Sequence, residues 1–394
     1  MTHRQGDRLA FDRAMVTQPV WNRFDLARDA TGIADNVLLH AGPPFPDPGE
    51  ITRPILNSAC VAAVYEGLAP SLDAAERMIS SEEIILKPAQ DVNVVTPLAA
   101  VVSASMPLHS VYDAWRGQHR TFAPINGGNR PALRLGLRSE AVLEHIRWLN
   151  TRCLDVLRGG LAEGIALVPL AVEGLKGGDD CHGRTPVAGA ALVRELIDRS
   201  PNGVGDDETL EFLKGSPSVF LNLWMAATKL MMCRAEGVPG SGFVTAAGGN
   251  GRDVGIQVSA FPGRWYTVPA TPPEGAFDVD LPPSRALGAI GDSAVVDAFG
   301  LGAMSDARAE PSTSTKSAHG MSVGEHPYFK GTGLKLGISA MTIAESGQAP
   351  RVSLGILDCK GEMGRLGGGL YQMPVMPFKQ ATEDILAGPQ SSAG

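Results

Sequence analysis

With 394 residues, the chain is long enough for two or three structural units rather than a single core. Hydrophobic residues at 44% against charged residues at 19% exclude a disordered polyelectrolyte and imply buried interfaces, so an oligomer is expected. A net charge of −8, from 34 Lys+Arg and 42 Asp+Glu, has the wrong sign for a general nucleic-acid binder.

The opening MTHRQGDRLAFDRAM carries charge before any apolar run, and no stretch reaches the ~20 apolar residues of a membrane span, so no membrane partner is expected. Five scattered cysteines predict reduced thiols in a cytoplasmic protein, without disulfides.

In chain order, residues 1–35 read as a polar lead-in with at most one helix. The first strand is Val37-Leu38-Leu39, ending in the turn His40-Ala41-Gly42-Pro43-Pro44. A helix over 51–68 packs on Ile55, Val61, Ala62 and Tyr65; residues 84–86, 92–95 and 99–103 read as short buried strands. Periodicity turns helical after Ser139, an N-cap, through Val142, Ile146, Leu149, Leu154 and Leu157. Thr185 before Pro186 reads as the N-cap of a second helix, a third starts near Asp207, and a fourth over 219–235 stops at Gly237 and Pro239. Strands return at 254–258 and 264–268 as a hairpin through Phe261-Pro262-Gly263. Residues 269–283 read as a surface loop, 309–320 as a mobile loop, 352–357 as a strand, 364–369 as a tight glycine-rich turn, and 378–386 as a closing helix.

This succession predicts an α/β fold of the mixed α+β kind, a helix-covered mixed sheet with a mostly helical insertion. The segments are a lead-in (1–35), the first part of the α/β domain (36–138), the insertion (139–237) and the second part of the domain (238–394).

No Walker A, Gly-x-Ser-x-Gly, His-Glu-x-x-His or Rossmann signature is complete, and no metal-ligand spacing occurs, so neither a metal nor a cofactor is expected. Chemistry is sought instead in polar clusters. The densest, residues 177–184, directly precedes the Pro186 helix start, where free N–H groups attract anions. There Arg184 offers bidentate anion recognition and His182, oriented by Asp180, a proton carrier. The alternative is a purely structural Asp180–Arg184 pair, and Cys181 reads as packed. A second cluster, residues 124–130, brings Asn129 and Arg130 onto a glycine-rich loop suited to an oxyanion or ureido group, or to an Asn-stabilised turn. A third, residues 245–253, adds Asn250 and Asp253. Gly291-Asp292-Ser293 reads as a helix cap, Glu325-His326 as a pair on a turn, and Trp224 with Met231-Met232 as core.

The segments LHAGPP (39–44), VVSASMP (101–107), GGNR (127–130), GDDCHGR (178–184), FLNLWMAATK (220–229), VTAAGGNGRDVGI (244–256), RWYTVPA (264–270), IGDSAVVDAFGLG (290–302) and GEHP (324–327) occur in this order. Together they resemble the YlbE/AllG-like family over nearly the whole chain from about residue 12. The resemblance implies an α/β fold with a helical insert. It also implies a place beside an FdrA-like subunit and a further small subunit in oxamate carbamoyltransferase, with phosphate or carbamoyl phosphate as substrate. That enzyme converts oxalurate and phosphate into oxamate and carbamoyl phosphate. It carries no catalytic residues over.

Carbamoyl transfer passes through an anionic tetrahedral centre and needs oxyanion donors, an anion clamp and a proton shuttle. Arg130 and Arg184 are the expected clamp, Asn129 and Asn250 the donors, and His182 with Asp180 the shuttle. The alternatives are a non-catalytic structural subunit of that assembly, or an amidohydrolase acting on a ureide.

Overall fold

A computed structural model describes residues 2–117, 119–128, 131–161, 163–200, 207–216, 218–305, 322–325, 329 and 334–388. The chain opens with α1 (His3–Met15), β1 (Pro19–Leu26) and the short α2 (Ala27–Thr31). This corrects the reading of residues 1–35 as a lead-in with at most one helix. The strand was hidden because a bulge between Trp21 and Arg23 breaks the alternation of inward and outward side chains.

Next come β2 (Val37–His40), α3 (Arg53–Glu66), α4 (Leu72–Ser80) and β3 (Ile85–Pro88), with β2 and β3 paired in parallel. Residues 92–95 are not a strand: a 3-10 turn spans Ala89–Val92, Asn93 is left-handed at φ 63°, and Val94 makes a single bridge to Phe122. The stretch 99–103 contributes a single bridge, Val102 to Leu39. The hairpin of β4 (Pro107–Asp113) and β5 (Arg120–Pro124) follows.

Between residues 139 and 237 lie α5 (Glu140–Trp148), α6 (Leu154–Gly159), the two-residue β6 (Ile165–Ala166) and α7 (Leu167–Lys176). They are followed by α8 (Pro186–Arg199), α9 (Asp207–Lys214) and α10 (Ser218–Arg234). Pro186 opens α8 as expected, but Thr185 makes no side-chain cap bond. The Asp179 carboxylate caps the helix instead, accepting from Ala188 N at 2.8 Å and Val187 N at 3.3 Å.

Strands resume with β7 (Val244–Asn250), β8 (Asp253–Val258) and β9 (Phe261–Pro269); the last two form the expected hairpin, but it turns at Ser259-Ala260, and Phe261-Pro262-Gly263 belong to β9. Then come β10 (Glu274–Phe277), β11 (Ile290–Gly291), α11 (Ala294–Ala298), β12 (Ser322–Glu325) and β13 (Lys335–Ile338). The helix Ala340–Ser346, β14 (Arg351–Leu357), β15 (Arg365–Gln372) and the helix Met376–Ala387 complete the described chain. The loop expected at 309–320 lies outside the described residues, as does His326.

The fold is mixed α+β, with its strands divided among several small sheets: β5-β4-β1-β6, β11-β7-β8-β9, β10-β15-β14, β12-β13 and β2-β3. Residues 364–369, expected as a tight turn, belong mostly to β15. A Cβ at Gly367 would lie 2.0 Å from Ala276 O and one at Gly369 2.3 Å from Glu274 O, so pairing with β10 admits only glycine there. The glycines thus mark close strand approach.

One core forms around α10, whose side chains are buried nearly all round against α1, α8, α11 and strands of two sheets. Phe220, Leu223 and Trp224 are fully buried, each worth roughly 1.5–3 kcal/mol relative to exposure. A second core gathers around α3, β2 and the 99–102 segment. Among the described residues no helix is long and apolar enough to cross a membrane, and all five cysteines are free.

Candidate functional site

A cavity of about 450 Å³ opens where the helical stretch meets β14 and β15. Its walls come from the loop before α8, the first turn of α10, residues 97–98, Asn126, Arg134, Ser293, and the faces of β14 and β15. His182, Asp180 and Arg184 line it together with Arg134 and Arg365.

The loop carrying His182 is folded by its own sequence. Asp180 accepts from the backbone N–H of His182 at 2.8 Å and of Arg184 at 2.9 Å, an Asx-type turn that closes tightly because Cys181 adopts a left-handed φ of 65°. Cys181 is buried, donates weakly to Ala171 O at 3.7 Å, and has its thiol pKa pushed far up by burial, so it packs and is not poised as a nucleophile.

The imidazole pairs with Asp297, not with Asp180 as expected. Nδ1 of His182 is hydrogen-bonded to Oδ2 of Asp297 on α11, and both side chains are buried. Asp180 accepts the backbone N–H groups of its own loop through Oδ1 and acts on the ring as a nearby negative charge. Asp297 also accepts from Ala303 N at 2.8 Å and Ser353 N at 3.3 Å. The pair is tightly framed: a Cβ at Gly302 would sit 2.4 Å from Asp297 Oδ1 and 2.9 Å from the His182 Cβ. Burial opposes the charge on either partner and leaves Asp297 above its ordinary carboxylate value. On the His182 side the Asp297 carboxylate outweighs burial and raises the imidazole pKa. With Nδ1 held by a carboxylate, Nε2 is the ring position that takes or gives a proton.

Three arginines make the cavity cationic. Arg134 donates to Asn126 Oδ1 and Gly127 O, both at 2.9 Å, and to Gly128 O at 2.6 Å, all neutral acceptors. Among the described residues no carboxylate pairs with it, and burial together with the neighbouring Arg365 lowers its pKa to about 10. Arg365 pairs with Asp278 at 2.7 Å through Nη1. Arg184 is half-exposed and only loosely paired with Asp180, at 3.6 Å. A part-buried guanidinium facing neutral oxygens and a second cation is the arrangement an anionic ligand completes.

A family model described as "Oxamate carbamoyltransferase subunit AllG" matches residues 84–293. The protein of that name from Escherichia coli is 30% identical over 375 residues, covering 88% of each chain. The chain belongs to the AllG family. An uncharacterized protein YahG of Escherichia coli is 27% identical over 396 residues, covering 94% of this chain and 84% of its own. The crystal structure of a conserved protein of unknown function from Enterococcus faecalis has the same fold, with a TM-score of 0.90 and 25% identity over 98% of both chains.

Within this AllG-family chain the expected site residues fall into three groups. His182, Asp180 and Arg184 come together in the cavity. Asn129 and Arg130 lie outside the described residues, although Asn126, Gly127 and Gly128 of the same loop are held against Arg134. Asn250 and Asp253 are not among the cavity walls. Asn250 donates to Pro43 O at 2.8 Å and accepts from the backbone N–H of Arg252 and Asp253, which fixes the β7–β8 turn. Asp253 pairs with Arg252.

At Gly291-Asp292-Ser293, Ser293 does hold the N-cap position of α11, but without a side-chain cap bond. Asp292 is buried and accepts from Gly42 N, Gln90 Nε2, and the N and Oγ1 of Thr96, fastening the 96–98 wall of the cavity, while Ser293 lines it.

Sequence reasoning missed Asp297, Arg134 and Arg365. Asp297 does stand in the segment IGDSAVVDAFGLG, but as one apolar-flanked acid in a short helix it carries no local mark of its partner. Arg134 and Arg365 look like ordinary surface arginines until the fold sets them side by side. No group of three or more His, Cys, Asp or Glu side chains arranged to hold a metal ion occurs among the described residues.

Proposed function

We propose that this chain is a subunit of a carbamoyltransferase assembly and that its cavity binds a small ureido acid together with phosphate. The observation that carries the reading is the confrontation, in one cavity, of the His182–Asp297 pair with Arg134, Arg184 and Arg365. Membership of the AllG family supports oxalurate and phosphate as substrates, oxamate and carbamoyl phosphate as products, and an FdrA-like subunit with a further small subunit as partners.

A phosphate oxygen attacks the ureido carbonyl carbon of oxalurate, forming the new C–O bond. The C–N bond to the oxamate nitrogen then breaks, its electron pair staying on nitrogen. His182 takes the phosphate proton at Nε2 and returns it to that nitrogen, so no other reactant is consumed. The arginines hold both anions and offset the charge gathering on the tetrahedral centre.

The test is turnover of oxalurate by the chain alone and co-expressed with its FdrA-like and small partners, with and without phosphate. Phosphate-dependent loss of oxalurate with equal gain of carbamoyl phosphate in the complex is the expected result. Phosphate-independent release of ammonia would replace transfer with amide hydrolysis.

A further inference from the structure

Resting on that reading of the cavity, we infer that Arg134 is the carboxylate-recognising residue and that the site selects small planar α-amido carboxylates such as oxamate over their neutral amides. A guanidinium has five N–H groups. In Arg134 both on Nη1 are used, on Asn126 Oδ1 and Gly127 O, and one on Nη2 is used, on Gly128 O. Nε–H and the second Nη2–H are left without an acceptor among the described residues.

These two form the parallel edge that matches the two oxygens of a carboxylate. The three bonds already made lock the group to the loop and hold that edge in place. Orientation is therefore achieved before the ligand arrives, at little further entropic cost.

Charge points the same way. No described carboxylate neutralises Arg134, and Arg365 adds a second positive charge close enough to depress its pKa. Gly368 leaves room for that second guanidinium, since a Cβ there would stand 3.1 Å from Arg365 Nη2. On α10, the cavity-lining Asn222 donates to Asn126 O at 2.7 Å while its buried Oδ1 has no hydrogen-bond partner among the described residues. A ligand with a carboxylate on the guanidinium edge and an amide N–H group beside it satisfies both. Oxamate and oxalurate have that composition; inorganic phosphate does not.

The experiment is calorimetric titration of the full chain with oxamate and with its neutral isostere oxamide, with no partner subunit and no phosphate. Wild type is expected to favour oxamate by about 10- to 100-fold, the range for charge-assisted bonds, and Arg134→Gln to lose that preference. Equal binding of the two ligands by wild type, no binding of oxamate, or an undiminished preference in a folded Arg134→Gln would overturn the assignment. Should that variant fail to fold, because Arg134 also holds the 126–128 loop, Arg365→Met decides. Arg365 is half-exposed, and its loss is expected to weaken oxamate several-fold with oxamide unchanged; unchanged oxamate binding would overturn the assignment. Saturating inorganic phosphate is expected to leave oxamate bound, and competitive displacement would give the edge to phosphate instead. Oxamate selectivity without phosphate-dependent turnover in the assembled complex would support this carboxylate site while defeating carbamoyl transfer, so the two readings fail separately.

Discussion

The buried pair of His182 and Asp297 sets the pH behaviour of the site. Asp297 raises the imidazole pKa, so the neutral base needed to take a proton becomes dominant only above that raised value. In Asp297→Asn the carboxylate is gone while burial remains, and the acid-side limb of the pH–rate profile is expected to move to lower pH as kcat falls; an unmoved limb would detach the pair from the chemistry. Asp292 gives a stability counterpart. Burial pushes its carboxyl up to about 6 despite four donors. A folded pKa above the unfolded one means that its contribution is complete below the unfolded value of about 3.9 and is lost as pH rises through about 6. Urea titrations should therefore show wild type losing stability relative to Asp292→Asn across that window, with parallel curves contradicting it. His182 was legible because it stands in a dense polar run before a helix start. Its true partner, 115 residues away, was not, because a sequence shows neighbours along the chain and a buried ion pair joins neighbours in space.

Among the elements, those with strong periodicity were readable and those shaped by close backbone approach were not. The helices α3, α8 and α10 announce themselves by apolar spacing, a first-position proline or a terminal glycine. By contrast β15, with glycine at 367, 368 and 369, has no side-chain alternation to detect, and the bulge in β1 breaks its own. The capping of α8 was half legible: Pro186 marks the start, but the acceptor is Asp179, which stands before the loop, rather than the adjacent Thr185. Asp179→Ala is expected to cost about 1 kcal/mol in chemical denaturation, the usual worth of an N-cap acceptor, and Thr185→Ala less. The reverse order would return the cap to Thr185.

At the scale of the whole molecule, the cavity exists because the helical stretch closes against β14, β15 and the 126–134 loop, so no single segment contains the site. That is why fold class, His182 and Arg184 could be read from the chain while Arg134 and Arg365 could not. The central claim is that this chain brings the proton-transfer group to carbamoyl transfer. It is tested most directly by His182→Ala in the fully assembled complex, with carbamoyl phosphate formation from oxalurate and phosphate as readout and assembly checked by size. The expected result is an intact complex slowed by roughly 10²- to 10⁴-fold, the usual weight of a general acid–base group. Full turnover in that variant would contradict it and leave the chain a structural subunit.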